Sequence, residues 1–559
     1  MLPTDFSVFS EQFSGVSLLS LLAVTLLFAA LSFFAARRFL LIAQQTHYNP
    51  RAVYKWYRAA GLSYKNRLML LSLMSFLSFS LICSCFIPAF GGGVAAFTGF
   101  ASFIAFTVMY IKTESSTAVK IPLRKTGREI RLAVTLCALF AAFYFGVSVL
   151  LDFLAYAINN EIVAVLRYAP LTLSPMLIPY AVIVAAAINK PFEEARNAKF
   201  VKSSAEILDK SAAVKIGVTG SFGKTGVKEI LAVLLSERYN VLATPDSYNT
   251  PMGIALTVKN GVVANGKPAD FFIAEMGAKH VGDIKTLCDT VKPNVGVLTA
   301  VNSQHLETFG DYSAVKRTKF ELFENLYGDK TAFFSSDNEG ARELFGQFVG
   351  DKYSAGIKGS FARAENVSVT ADGSSFTLIL KGEKPVECKT SLLGEHNVSN
   401  LCLAAAVAYR LGVSAEEIAR GIARCKPAPH RLQTINAEGG GLIIDDSYNS
   451  SEDGAAAALK TLGLFPGKKT VLTPGLVELG ERQYSANFKL GSLIAGVADE
   501  VIVIGETNKN ALTEGAISAG MSEESVKTAQ TLELAVKMKN GVAAGETALF
   551  LNDLPDDYN

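Results

Sequence analysis

Two patterns of apolar and polar positions divide the 559-residue chain. In the first third, apolar runs of membrane-spanning length recur at about 16–36, 68–90, 92–111, 132–157 and 162–188. A bilayer core takes roughly 20 apolar residues per helix. The pattern therefore predicts a helical bundle of five spans, with four or six as the neighbouring readings. From about 205 the period changes. Short apolar runs at 212–218, 271–274, 295–299 and 331–334 alternate with helical stretches, the mark of a mainly parallel sheet covered by helices. Alternating segments at 366–370, 375–380 and 387–392 predict antiparallel strands, and an Ala/Leu-rich helix is expected over 397–411. After Pro427-Ala428-Pro429-His430 the alternation restarts, with strands at 441–444, 470–473 and 500–504 and helices near 453–463 and 484–497.

Charge orients the first third. Arg37, Arg38, Arg51, Lys55, Arg58, Lys65 and Arg67 fall between runs one and two; Lys112, Lys120, Arg124, Lys125, Arg128 and Arg131 fall between runs three and four. The other two connections, Gly91-Gly92-Gly93 and Asn159-Asn160-Glu161, carry no basic residue. Basic connections stay on the cytoplasmic side, so the N-terminus is expected outside and everything after residue 195 in the cytosol. The first run is not read as a signal peptide, because Asp5 and Glu11 precede it and the basic pair follows. Asp152 and Arg167 fall inside runs four and five, where a charge is structurally paired, snorkelling or functional. Composition agrees with a membrane protein: half the residues are hydrophobic and the mean hydropathy is +0.29. The formal net charge of +2 supplies no field for nucleic acid. Seven scattered cysteines without a C-x-x-C pair argue against a zinc ribbon or a disulfide framework.

The chemistry starts at Val218-Thr219-Gly220-Ser221-Phe222-Gly223-Lys224-Thr225. This stretch follows a strand-like run and opens a helix, the context of a phosphate-binding loop. Gly220, Ser221, Phe222 and Gly223 would bring backbone N–H groups to a nucleotide's phosphates at the helix N-terminus. Lys224 would neutralise the outer phosphates and the Thr225 hydroxyl would ligate Mg²⁺. The loop departs from a full Walker pattern, since Val218 stands where its first glycine belongs.

Around that loop, several ordered motifs between about 210 and 510 resemble the Mur ligase family, most closely its D-alanyl-D-alanine-adding branch. The loop is similar to the family's T-G-x-x-G-K-T, with Val227-Lys228-Glu229 continuing as in that branch. Tyr248-Asn249-Thr250-Pro251-Met252-Gly253 resembles an N-x-x-x-G segment, and Ala274-Glu275-Met276-Gly277-Ala278 with Gly282-Asp283-Ile284 resembles E-M-G-A-x-x-x-G-E-I. His305 matches the family's second-metal histidine, and Lys319-Phe320-Glu321-Leu322 matches K-x-E-[IL], whose lysine is carbamylated in many members. Gly394-Glu395-His396-Asn397-Val398-Ser399-Asn400 is similar to the adenine-side G-x-H-N-x-x-N, His430-Arg431-Leu432 to the hinge arginine, and Asp445-Asp446-Ser447-Tyr448-Asn449 to D-D-x-Y-N at the ribose.

The apolar runs and the resemblance together predict a multi-domain chain: an N-terminal α-helical transmembrane bundle (1–195) from the runs, and from the resemblance an α/β phosphate-loop central domain (205–430) and an α/β, Rossmann-like C-terminal domain (431–559). The resemblance implies an ATP-dependent acid–amino-acid ligase of cell-envelope synthesis, working through an acyl phosphate. Thr225 and Glu275 would hold one Mg²⁺, and His305 with carbamylated Lys319 a second. Lys224, Lys319, His305 and Arg431 would be catalytic, while Asn397, Asn400, Arg431, Asp445, Tyr448 and Asn449 would bind the nucleotide. The expected partners are an amino acid or dipeptide, a nucleotide- or lipid-linked muropeptide or glycan, and membrane lipid. Three departures stand out. Ser451-Glu452 follows the Y-N element in place of Asn-Pro, the C-terminus ends Leu551-Asn552-Asp553-Leu554-Pro555-Asp556-Asp557-Tyr558 rather than in a K-G-S-type strand, and membrane runs occupy the position of the UDP-sugar domain. Alternatives are an ATP-driven transporter or flippase component, for which no ABC-type signature is visible, and a poly-γ-glutamate-type synthase.

Overall fold

In the computed structural model, the described residues are 15–59, scattered positions within 69–112, and 123–158, 174–302, 309–448, 450–477 and 479–553. The chain divides into two compact units, Met1–Asn197 and Ala198–Asn559.

The first unit contains helices α1 (Gly15–Ala35), α2 (Arg37–Gln45), α3 (Pro50–Ala59), α4 (Gly127–Ile158) and α5 (Ser174–Lys210), the last of which carries the chain into the second unit. Among the described residues, two helices are long and apolar enough to cross a membrane, Gly127–Leu151 and Met176–Lys210. Leu21–Ala35 and Arg37–Gln45, bent by 54°, would make a third if they form one span. The expected runs at 16–36 and 132–157 therefore fall on α1 and α4, and the run at 162–188 is described only from Ser174, where the helix continues to Lys210. The expected spans at 68–90 and 92–111, like Arg167 and the Asp152 side chain, lie outside the described residues. Of the basic residues between the first two runs, Arg37, Arg38, Arg51, Lys55 and Arg58 are carried on α2 and α3, while Lys65 and Arg67 lie outside the described residues. Both helices have an apolar face to bury: Phe39, Leu40, Ala43 and Val53 pack into a core with Leu132, Leu136 and Tyr144 of α4 and Val182 of α5.

Among the described residues the second unit holds two large sheets and a two-stranded one, Val263–Ala264 with Lys267–Pro268. The first has nine strands: β1 (Val214–Thr219), β2 (Val241–Ala243), β3 (Phe271–Met276), β4 (Val295–Leu298), β5 (Thr331–Ser335), β6 (Asp351–Ala355), β7 (Ala362–Thr370), β8 (Gly373–Leu380) and β9 (Val386–Thr390). Their order is β9-β8-β7-β6-β5-β4-β1-β3-β2, with only the β7-β8-β9 end antiparallel. Strand residues face alternate sides, and here both sides are covered. Phe271 and Ile273 join one buried cluster with α6 (Lys224–Leu235) and α9 (Glu395–Arg410). Phe272, Ala274 and Met276 join another with α7 (Asp283–Val291) and α8 (Tyr312–Glu324). Double coverage explains why these strands read as continuous apolar runs.

The second sheet contains β10 (Gln433–Asn436), β11 (Leu442–Asp446), β12 (Lys468–Thr473), β13 (Glu500–Ile504), β14 (Val526–Ala529) and β15 (Glu546–Leu551), in the order β10-β11-β15-β12-β13-β14. All pairs are parallel except β10 with β11. Both sheets thus present carboxyl strand ends, where open α/β sheets bind ligands.

Candidate nucleotide and ligation site

The loop 220–223 leaves β1 and enters α6. Gly223 caps the helix with a left-handed φ of 79°, a conformation that a side chain disfavours. At Gly220 a Cβ would run into the Thr299 hydroxyl and lie 3.0 Å from the Ala300 backbone. The loop is fixed from the β4 side: Ser221 N donates to Ala300 O at 2.7 Å, and Thr299 Oγ1 donates to Phe222 O. Lys224 folds back over the loop, its Nζ donating to Gly220 O at 2.8 Å and Ser221 O at 3.1 Å. Burial lowers its pKa, Arg431 lowers it further and Glu275 opposes both. A phosphate arriving here would give the ammonium a stronger partner than two neutral carbonyls.

Glu275 lies at the end of β3, only 1% exposed. Its Oε2 accepts from Thr225 Oγ1 at 2.8 Å and its Oε1 from Asn249 Nδ2 at 3.0 Å. Lys228, fully buried on α6, reaches within 3.8 Å of the same Oε2 while binding Glu229 Oε1 at 3.0 Å and donating to Asp246 O at 2.5 Å. Lys228 and Asn249 were not in the expected site set. Their neighbourhood to Glu275 spans 26 to 47 residues of sequence, and the pairing of β3 with both β1 and β2 creates it.

Lys319 is buried on α8, only 3% exposed. Burial, then the Lys224 cation, push it down to about 7, with Asp283 and Glu321 opposing. Glu321, two residues along, accepts from Gly282 N at 2.7 Å and Lys285 N at 2.9 Å, which docks α8 on the start of α7. His305 and Asn449 lie outside the described residues.

The C-terminal part closes one wall of a cleft of about 650 Å³ whose lining includes Lys224, Thr225, Glu275, Asn397, Asn400 and Arg431. Asn400 covers the loop so closely that a Cβ on Gly223 would be 3.2 Å from its Oδ1. Asn397 Nδ2 donates to Leu393 O at 2.8 Å, and burial drives the neighbouring His396 down to about 4, a neutral imidazole at physiological pH. Arg431 stands between His430 and Leu432, two left-handed residues (φ 60° and 47°), with its guanidinium 4.5 Å from the centre of the Tyr448 ring. Tyr448 Oη donates to Ser247 Oγ at 2.8 Å, joining the second sheet's loop to the first sheet's. Asp445 does not line the cleft. Its carboxylate meets His430 Nδ1 at 2.8 Å and the Ser447 hydroxyl at 2.6 Å. The adjacent Asp446 does line it and is pushed up to about 7, chiefly by burial.

No group of three His, Cys, Asp or Glu side chains forms a metal cage among the described residues. Beside the loop the cleft offers the Glu275 carboxylate with the Thr225 hydroxyl against it, a donor pair that suits a hard cation completing its shell with phosphate and water.

Residues 218–408 match the Mur ligase middle domain and residues 430–551 the Mur ligase glutamate ligase domain. The chain is 30% identical over 302 residues to UDP-N-acetylmuramoyl-tripeptide–D-alanyl-D-alanine ligase of Escherichia coli (strain K12), covering 52% of this chain and 64% of that protein. It therefore spans less than two thirds of that relative's length. The protein of the same name from Synechocystis is 30% identical over 339 residues, 60% of this chain and 70% of the relative. Among solved structures, the MurF ligase of Thermotoga maritima in complex with ADP aligns with a TM-score of 0.56 at 26% identity, covering 64% of this chain and 80% of that one.

Proposed function

The chain belongs to the Mur ligase family, and we propose on that premise that it is an ATP-dependent ligase joining an amine to a carboxylate in cell-envelope precursor synthesis. The amine is an amino acid or D-alanyl-D-alanine, and the carboxylate belongs to a muropeptide or glycan acceptor. One observation carries the reading: the phosphate loop, the Thr225–Glu275 pair and Arg431 converge on a single cleft from two sheets. The kinship with an ADP-bound ligase supports a nucleotide in that cleft.

Each residue's part follows from its surroundings. Loop amides and Lys224 would hold the outer phosphates, with Asn397 and Asn400 on the side of the base. Arg431, carried on the second sheet's side, would meet charge on the phosphoryl group as it moves to the acceptor carboxylate, and the amine would then displace phosphate. Thr225 and Glu275 are suited to hold Mg²⁺, as their 2.8 Å contact supports. Lys319, held near 7 and therefore partly neutral, is suited to take up CO₂ and become, with His305, a ligand for a second ion. Bound magnesium would offset phosphate charge and orient the transferring group.

The same reading makes residues 1–195 a multi-pass anchor in the cytoplasmic membrane, with the catalytic unit in the cytosol. Helices α4 and α5 and the sorting of basic residues support it. An acceptor carried on lipid would suit an enzyme with such an anchor.

The test is ATP-dependent phosphate release by the detergent-purified full chain. It is given D-alanyl-D-alanine or single amino acids together with either UDP-muramoyl tripeptide or a lipid-linked muropeptide, and products are identified by mass. A new amide on either acceptor supports ligation, and the acceptor that reacts tells an anchored precursor ligase from a lipid-directed one. Turnover of ATP with no amide from any pair would sink the proposal.

A further inference from the structure

Away from the cleft, charge concentrates at one level of the first unit. Glu193, on α5 just past its apolar run, has a side chain 12% exposed and meets three guanidinium groups. Arg128 Nε lies 3.1 Å from its Oε2, Arg196 Nη2 lies 3.3 Å from the same oxygen, and Arg131 Nε bonds Oε1. One carboxylate does not neutralise three guanidiniums. The two segments involved, 123–131 and 189–197, carry six basic and three acidic side chains, so the excess is positive. Arg131 Nη2 is buried and, among the described residues, has no hydrogen-bond partner. A buried donor in that state is costly until an acceptor reaches it.

The surroundings hold these arginines in position. Between α2 and α3, His47 and Tyr48 both adopt left-handed backbone (φ 54° and 60°), a strain that persists only where packing enforces it. That turn sets the Tyr48 ring 5.9 Å from the Arg128 guanidinium, and Gln44 Oε1 accepts from Arg124 N at 2.9 Å. One turn inward, Asn189 Nδ2 donates to Thr135 Oγ1 at 2.8 Å and pins α5 to α4. Arg128 and Arg131 precede the apolar stretch of α4, while Glu193 and Arg196 follow that of α5. Both helices thus change from apolar to charged at the same height. For helices that cross a bilayer, that is the height of the lipid phosphates.

We propose that Arg128, Arg131 and Arg196 form a binding site for the phosphate of a lipid head group, with Glu193 spacing the guanidiniums rather than cancelling them. The planar, forked donors of arginine match phosphate oxygens two at a time, and a site at this height takes the phosphate while the acyl chains stay in the bilayer. The inference rests on the reading of α4 and α5 as membrane spans. The phosphate comes either from bulk anionic phospholipid or from the diphosphate of a lipid-linked acceptor.

The full chain is reconstituted in nanodiscs of phosphatidylcholine containing a minor fraction of phosphatidylglycerol or of a polyprenyl diphosphate, and co-purifying lipid is counted by native mass spectrometry. The wild type is expected to retain phosphate lipid about tenfold better than the Arg128→Gln/Arg131→Gln double variant. Arg131→Lys, which keeps the charge and loses the fork, is expected between them. Thermal unfolding in pure phosphatidylcholine shows whether the double variant is folded; where it is not, Arg196→Gln, the most exposed of the three, takes its place. Preference for the diphosphate identifies an acceptor site, and equal retention of both lipids identifies a phospholipid site. Equal retention by wild type and folded variants overturns the proposal. Release of the chain from membranes by alkaline carbonate would overturn the spanning reading instead, which keeps the two failures apart.

Discussion

Glu275 and Asp446 each stand at the carboxyl end of a parallel strand and face the same cleft, yet their surroundings are opposite. Three donors converge on Glu275: the Thr225 hydroxyl, the Asn249 amide and, at 3.8 Å, the Lys228 ammonium. Asp446 has one backbone partner, Leu432 N at 3.1 Å, and burial pushes it up to about 7. The first sheet thus holds its cleft carboxylate among three donors. The second sheet brings to the cleft a carboxyl that is half protonated near neutrality and an arginine seated on two left-handed residues. The difference assigns stability of the site to one sheet and adjustability to the other.

Removing the prepared side should cost most. Glu275→Gln keeps the shape but loses the charge opposite Lys224, and is expected to lower kcat for ATP-dependent phosphate release by about 10²–10³-fold, the scale of losing one preorganised electrostatic group. Lys224→Ala should fall in the same range. An effect under tenfold for both would mean that the cleft is not where phosphoryl transfer occurs. Arg431→Ala, on the adjustable side, should cost about 10²-fold in kcat, with ADP binding by calorimetry changed far less if the part proposed for it in phosphoryl transfer outweighs the one in holding the nucleotide. Equal losses in kcat and in ADP affinity would erase the distinction between the two sides.

Asp446 gives a test by pH. Its folded pKa, about 7, is raised above the ordinary aspartate value of 3.8. Between those values the folded chain keeps a proton that the unfolded chain has released, so stability is greatest at the acidic end and falls as pH rises towards 7. The thermal midpoint of the full chain should therefore decline over that window, and Asp446→Asn should flatten the decline. A variant that tracks the wild type at every pH would show that this carboxyl is not held protonated.

The same pair shows how far the sequence could be read. The loop 220–223 was legible as a strand-to-helix turn because its glycines, lysine and threonine are contiguous and follow a strand, and Thr225 and Glu275, each named from its own motif, come together at 2.8 Å. The sheet around them was legible as continuous apolar runs because both faces are covered. Asp445 was named for the nucleotide, whereas the cleft is lined by Asp446. Neighbours on a strand point to opposite faces, and a motif of two adjacent aspartates does not say which face the cleft takes. Lys228 was quoted in a motif without a role, because its partners Glu275 and Asp246 reach it only through the fold. The place of β15 between β11 and β12 likewise has no local signal, since it is set by a strand from the end of the chain.

The smallest effect tests the join between the two sides. The Tyr448 hydroxyl and Ser247 form one neutral hydrogen bond at 2.8 Å between the loops of the two sheets, while the Tyr448 ring stacks beneath Arg431. Such a bond is worth about 1 kcal/mol net, so Tyr448→Phe, which keeps the ring, should raise KM for ATP about fivefold and leave kcat nearly unchanged. Ser247→Ala should do the same. The informative variant is the double one. If the two hydroxyls act only on each other, it is no worse than either single change, because the bond is lost once. Additive losses would mean that each hydroxyl touches the nucleotide by itself, and the contact would then be part of the binding surface rather than a clasp that holds the adjustable side over the prepared one.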